Sequence, residues 1–179
     1  MEKRGIIRIG VIGAESTGKT WLCEALAEHY ATVWVAEYAR EYFNDSDIYN
    51  YTLEDLEIIA RKQLDLEQEA MKKANTLLFC DTTLITLRIW AELEFQVTPP
   101  FIAGQLSEIP YDHYFITNNE IAWHADPLRQ NKHSRELLFA MNEAEVQKSG
   151  IPYTVISGKE QERLAMAIQV TDTLVVNRN

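Results

Sequence analysis

The chain has 179 residues, 46% of them apolar and 25% charged, with 27 acids against 17 bases and a formal net charge of −10. That length suits one domain with a real core, and the composition is that of a globular chain rather than a disordered one. The acidic balance argues against a nucleic-acid groove, which needs a basic surface to displace counterions, and leaves room for small ligands, cationic ones slightly favoured.

In chain order, the apolar run at 6–12 predicts a buried strand that leads into the loop "GAESTGKT", residues 13–20. A helix is expected over 19–30 and a second strand over 33–36, followed by "EYAREYF". Residues 52–75 form a long helical stretch, with Thr52 and Asp55 placed as a capping box. Its inward stripe would run Leu56, Ala60, Gln63, Glu67, Met71. Two polar residues in that stripe mark either a polar pocket or a different helix phase. A strand at 77–81 precedes a helix at 83–95, which Thr98-Pro99-Pro100 must end. After a strand at 114–117, residues 118–133 read as a polar excursion on the C-terminal side of the sheet. A helix at 134–149 ends on Gly150, a strand follows at 153–157, and a last helix at 160–174. Strand and helix alternate to the end, so the expectation is an α/β fold with a mostly parallel sheet in one domain, residues 1–179. Four strands are apolar runs, as when helices cover both faces.

The two cysteines, Cys23 and Cys80, lie in apolar segments without C-x-x-C spacing and read as buried small hydrophobes in a reducing compartment. No apolar run reaches membrane-span length, and "MEKRGIIRIG" has no signal-peptide core. The expectation is a cytoplasmic protein with no membrane or nucleic-acid partner.

The loop fits G-x-x-x-x-G-K-[ST] at every fixed position, between a strand and a helix, as a phosphate loop requires. Gly13 and Gly18 allow close backbone approach. The N–H groups from Gly13, Ala14, Glu15, Ser16, Thr17 and Gly18 would cradle phosphate at the helix N-terminus. Lys19 would reach the β- and γ-phosphates of ATP, and the Thr20 hydroxyl would ligate Mg²⁺. Asp81 ends an apolar strand and would be the carboxylate partner of that metal; its alternative role is an N-cap for the helix that follows.

Three classes of phosphate-loop protein remain. A GTPase switch needs an Asn-Lys-x-Asp guanine reader, and the corresponding stretch here is "FITNNEIA". A mechanical ATPase normally has Glu after the metal-binding Asp, and here Thr82 follows. A small-molecule kinase needs neither, but does need a lid that excludes water and delivers arginines. Residues 118–135 would be that lid, with Arg129 and Arg135 as catalytic arginines, or else a solvated basic loop. Glu37, Tyr38 and Arg40, with Gln63 from the polar stripe, are the candidate acceptor contacts; an ordinary surface helix with side-chain pairs would also account for 37–42.

Together, "GAESTGKT", "EYAREY", "FCDTTLIT" and "NNEIAWHADPLRQNKHSR", in that order and spacing, resemble the kinase domain of NadR-type proteins, the ribosylnicotinamide kinases of NAD metabolism, over about residues 6–156. The resemblance implies a nucleoside/nucleotide-kinase-like phosphate-loop fold with a five-stranded parallel sheet. It implies transfer of phosphate from ATP to nicotinamide riboside, giving nicotinamide mononucleotide. By position it places ATP and Mg²⁺ at 13–20 and Asp81, the acceptor at Glu37, Tyr38 and Arg40, and lid arginines at Arg129 and Arg135. The chain differs from the family in three places. Ala36 stands where a Trp often precedes the Glu-Tyr pair, with Trp34 two residues earlier. Asp81-Thr82-Thr83 replaces Asp-Thr-Asp. None of the histidines, His29, His113, His124 and His133, forms the His-x-Gly-His motif of adenylyl transfer, so synthesis of NAD itself is not expected. The alternatives are a kinase of another nucleoside or nucleoside monophosphate, and a nucleotide-dependent ATPase or sensor without phosphotransfer.

Overall fold

Strand β1 (Ile7–Gly13) is buried at every position, and its side chains divide between two cores. The computed structural model describes residues 5–44, 50–108, 111–122 and 134–178. Four further strands complete one sheet: β2 (Trp34–Val35), β3 (Leu77–Asp81), β4 (His113–Thr117) and β5 (Tyr153–Ile156). Their order is β2-β3-β1-β4-β5, and every pairing is parallel. The crossovers are helical: α1 (Lys19–His29), α2 (Tyr38–Asn44), α3 (Leu53–Lys73), α4 (Leu84–Phe95), α5 (Pro100–Glu108), α6 (Arg135–Ser149) and α7 (Glu160–Arg178). This is the α/β fold with a parallel sheet that the alternation predicted, with the five strands that the resemblance implied.

The period of two along each strand sends neighbours to opposite faces. Ile7, Ile9, Val11, Phe79 and Phe115 pack with Leu22, Cys23 and Leu26 of α1 and with Ala167 of α7. Leu78, Cys80, Tyr114 and Ile116 pack on the other face with Ile85, Ile89, Leu138 and Val146 of α4 and α6. A third cluster joins α2, α3, α4 and α5 around Phe43, Leu56, Leu84, Leu87 and Ile102. Both cysteines are buried, and burial pushes both thiols up. No helix among the described residues is long and apolar enough to cross a membrane.

Several local expectations hold, and others shift. Thr52 and Asp55 form the reciprocal capping box, and Gly150 ends α6 with φ 71°. Gln96, with φ 56°, terminates α4 before the prolines. The prolines then open a helix, α5, that the sequence reading missed: Pro100 occupies a first-turn position, where its missing N–H costs nothing. Helix α7 continues to Arg178, four residues past the expected end.

The long helix has the expected phase, since Leu56, Ala60, Gln63 and Glu67 are all buried. Glu67 meets its partners at the N-terminal end of the sheet. Tyr111 donates its hydroxyl to Glu67 at 2.7 Å, and the Arg8 guanidinium lies 3.4 Å away. Burial pushes the Glu67 carboxyl up to about 7, with Tyr111 and Arg8 pulling against it.

Candidate functional site

In a parallel sheet, ligands gather beyond the carboxyl ends of the strands. Gly13, Asp81, Thr117 and Ile156 end β1, β3, β4 and β5 at that edge, and Ala36 follows β2. The phosphate loop is pinned there by its own side chains and by distant ones. Thr17 Oγ1 donates to the Ala14 carbonyl at 2.7 Å and lies 2.6 Å from Thr117 Oγ1. Thr117 in turn donates to the Ile12 carbonyl. Gly13 has φ 141°, and a Cβ there would lie 2.5 Å from Thr117 Oγ1 and 2.8 Å from its carbonyl oxygen. Only glycine fits that crossing. Gly18 caps α1 in the left-handed region at φ 81°. The Lys19 ammonium donates to the carbonyls of Gly13 and Ala14 at 3.2 and 2.8 Å.

Thr20 and Asp81 meet: the Thr20 hydroxyl donates to Asp81 Oδ2 at 2.5 Å. The rival role for Asp81, capping the next helix, is taken by Thr83, whose hydroxyl accepts from the Ile85 N–H. Between them Thr82 holds φ 66°, a conformation that a β-branched residue adopts only under strain of roughly 1–3 kcal/mol. That strained residue turns the chain from strand to helix while leaving the Asp81 carboxylate on the loop. Asp81 is 1% exposed. Burial, and then the Glu37 charge, push it up to about 6; Lys19, the Thr20 hydroxyl and Arg40 oppose the rise.

Glu37 and Arg40 form an ion pair at 3.1 Å. Both line a cleft of about 480 Å³, counting the part open to solvent, with Gly13, Ala14, Glu15, Ser16 and Lys19 at its phosphate end. Thr82, Thr86, Ile89 and Trp90 at and along α4 and Leu138 and Asn142 of α6 form the rest of its wall. The residues expected from sequence thus divide. Gly13, Ala14, Glu15, Ser16, Lys19, Glu37 and Arg40 line the cleft, and Asp81, bonded to Thr20, sits behind it within reach of the Lys19, Glu37 and Arg40 charges. Tyr38 and Gln63 are not among the lining residues. The Tyr38 ring packs beside Tyr42 on the third core cluster. Gln63 accepts from the Tyr38 N–H at 2.9 Å and donates to the Ala36 carbonyl, so its amide holds the segment that carries Glu37. Trp34 packs against the first core cluster.

Arg135 reaches the phosphate loop through that loop's backbone. Its guanidinium donates to the carbonyls of Ser16 and Ile121 at 3.3 and 2.9 Å, and burial lowers its pKa. Arg129, and the expected lid from 123 to 133, lie outside the described residues.

Sequence reasoning missed Arg163. It is 1% exposed. It donates to the Gly158 carbonyl at 2.7 Å, to Thr17 at 3.0 Å and to Asn118 at 3.0 Å, tying the phosphate loop to the segments after β4 and β5. An arginine in the first turn of a helix carries no motif, so nothing local marked it. Thr86, Trp90 and Asn142 were missed for the same reason.

A family model described as an AAA domain matches residues 8–163. The trifunctional NAD biosynthesis/regulator protein NadR of Escherichia coli (strain K12) is 29% identical over 126 residues, 68% of this chain and 30% of that protein. This chain therefore spans under a third of that relative's length. Two solved structures of NadR protein superpose over 93% of this chain at 20% identity. One, in complex with NR, has a TM-score of 0.79 and is covered over 50% of its chain. The other, in complex with NAD and AMP-PNP, has a TM-score of 0.78 and is covered over 48%. Thymidylate kinase from Ehrlichia chaffeensis shares the fold at 14% identity and a TM-score of 0.64, over 93% of this chain and 99% of its own.

Proposed function

The chain belongs to the AAA-domain family of the matching model, and from that premise we propose that it is an ATP-dependent kinase of a ribosyl hydroxyl whose acceptor is nicotinamide riboside. The observation that carries the reading is that the Lys19 loop and the Glu37–Arg40 pair line one cleft, while Asp81, bonded to Thr20, lies within reach of the Lys19, Glu37 and Arg40 charges. Similarity to NadR, one structure of which is a complex with NR, supports the choice of acceptor.

Thr20 and Asp81 suit Mg²⁺. Both offer hard oxygen atoms, and a phosphate-bound Mg²⁺ takes only one or two protein ligands. No group of three or more His, Cys, Asp or Glu forms a protein cage among the described residues. Bound there, the ion would offset the negative charge of the β- and γ-phosphates. Lys19 would place its charge on the same oxygens. The acceptor hydroxyl oxygen then forms a bond to the γ-phosphorus while the bond from that phosphorus to the oxygen retained by ADP breaks. The hydroxyl proton passes to the Asp81 carboxylate. Because phosphoryl transfer is loose, the site acts chiefly by positioning.

The acceptor's fixed pyridinium charge suits a cleft with a Glu37 carboxylate and a Trp90 face. A monophosphate acceptor would want several arginines there, and among the described lining residues Arg40 is the one arginine, already paired with Glu37. A hydrolytic motor is less well served, because Thr82 follows Asp81 where a water-activating acid would stand.

The test is a screen for ADP release over nicotinamide riboside, the common nucleosides and their monophosphates. Nicotinamide riboside should be the best acceptor, and Glu37→Gln should raise its KM. Transfer to a monophosphate with none to nicotinamide riboside refutes the proposal, as does ADP release that needs no acceptor.

A further inference from the structure

The wall of the cleft carries two polar atoms with no partner. Asn142 is 2% exposed and Thr86 is 7% exposed. Asn142 Oδ1 and Thr86 Oγ1 are buried without a hydrogen bond among the described residues. Four other buried side-chain atoms share that condition, on Arg8, His113, Asn119 and Arg135, but none of those residues lines the cleft. Unpaired buried polar atoms are costly, so two on one wall call for an occupant that pairs them.

The chemistry of that occupant follows from which atoms are already used. Asn142 Nδ2 donates to the Leu138 carbonyl at 2.8 Å. A carbonyl only accepts, so the amide cannot be turned over, and the atom left over is the acceptor Oδ1. Thr86 differs. A helical threonine commonly donates to the carbonyl four residues back. Thr171 and Thr173 of α7 do so, at 2.8 and 3.0 Å. Thr86 does not, so its hydroxyl stays free to accept and, unlike Asn142 Oδ1, also to donate. The wall therefore presents one acceptor from α6 and one hydroxyl able to donate from α4. Trp90, Ile89 and Leu138 line the same cleft and supply flat and apolar surface.

We propose that Asn142 and Thr86 form a subsite that reads a primary carboxamide on a flat ring. The amide N–H₂ would donate to Asn142 Oδ1, and its carbonyl would accept from the Thr86 hydroxyl. The inference rests on the acceptor reading above and sharpens it: the protein selects a pyridinium riboside bearing a carboxamide over one bearing a carboxylate. A carboxylate has no donor for Asn142 and would bring an anionic oxygen against Oδ1. A site built to pair an N–H rejects an analogue that lacks it far more strongly than an apolar pocket rejects a missing methylene.

The experiment measures binding by calorimetry, and turnover with ATP, for three ligands: nicotinamide riboside, nicotinic acid riboside, and ribosylpyridinium with no ring substituent. The proteins are wild type, Thr86→Val and Asn142→Leu, both near-isosteric replacements that keep the wall filled. Wild type should bind the carboxamide at least about tenfold more tightly than the carboxylate. Each variant should lose about tenfold for nicotinamide riboside and little for ribosylpyridinium. A purely structural role would weaken all three ligands alike, and that result overturns the proposal. So does equal wild-type binding of carboxamide and carboxylate, even with full turnover of both, which would leave the kinase reading standing. Selective binding of nicotinamide riboside without phosphate transfer would sink the kinase reading and leave the subsite in place.

Discussion

Replacing Glu67 by Gln should change how stability depends on pH, and the size of the change follows from where Glu67 lies. The carboxyl is 1% exposed, beneath α3, and burial raises it from 4.5 to about 7. The titratable and charged groups around it are Arg8 on β1, Cys80 on β3, and Tyr111 and Tyr114 at β4. Of these, only Arg8 carries charge through the neutral range. The folded state therefore holds a proton that the unfolded chain releases. The stability tied to the protonated form is fully present below about 4.5 and is lost as pH rises through about 7. At about 1.4 kcal/mol for each pH unit between the two values, roughly 3 kcal/mol disappears between pH 4 and pH 8. Gln cannot ionise, so its variant escapes that loss. The pull of Arg8 on the ionised carboxylate is already contained in the value of about 7, and any cost of fitting Gln that does not depend on charge is the same at every pH and cancels in the comparison. Urea unfolding of both proteins at pH 4, 6 and 8 should show the variant gaining on wild type by roughly 3 kcal/mol over the range. A difference between the two that stays flat with pH refutes the reasoning.

Two further outcomes concern the phosphate end of the cleft. Asp81→Asn should lower kcat by at least about a hundredfold, the scale of losing a positioned acid–base group, while α4 keeps its thermal stability because Thr83 is its cap; an unchanged kcat would remove Asp81 from the chemistry. Arg163→Lys keeps a charge but cannot span three carbonyls. It should raise the KM for ATP by tenfold or more through a loosened loop, and a folded variant with wild-type kinetics would show that the clamp does not position the loop.

Much of this arrangement was legible in the sequence because it is written in local terms. The loop motif, the capping box at Thr52 and Asp55, and the carboxylate ending an apolar strand each involve residues within a few positions of one another. Periodicity also gave the correct inner face of α3, including Gln63 and Glu67. What it could not give was the partner that each inward residue meets. The two polar residues in that inward stripe leave open either a polar pocket or a shifted helix phase. In the structure Gln63 reaches the backbone at Ala36 and Tyr38, and Glu67 reaches Arg8 and Tyr111, at opposite ends of β2 and β1. For Arg135, expected as a catalytic arginine, the sequence likewise did not announce its partners, the carbonyls of Ser16 and Ile121.

The acceptor wall shows why a motif search alone stops short of specificity. Phosphate is the same in every nucleotide, so its loop can be fixed by one short run of glycines, a lysine and a threonine. The acceptor differs from one kinase to the next, and in the proposed reading its wall is the part of the cleft assembled from α4 and α6, whose contributing residues stand more than forty positions apart in the chain. Thr86 and Trp90 share one face of α4 at the i,i+4 spacing, and Leu138 and Asn142 share one face of α6 in the same way. Each pair alone reads as ordinary helix packing. Only the sheet order, which sets both helices on the same face beside β1, turns the two pairs into one wall. Under the proposed function, the aromatic surface that the family resemblance sought next to Glu37 would come from a different element. Trp34 is committed to the core under β2, while Trp90 lines the cleft. A change of aromatic donor from strand to helix can preserve a flat, electron-rich surface for a cationic ring without preserving any motif, because the attraction depends on the ring's position over the charge and not on where in the chain it originates.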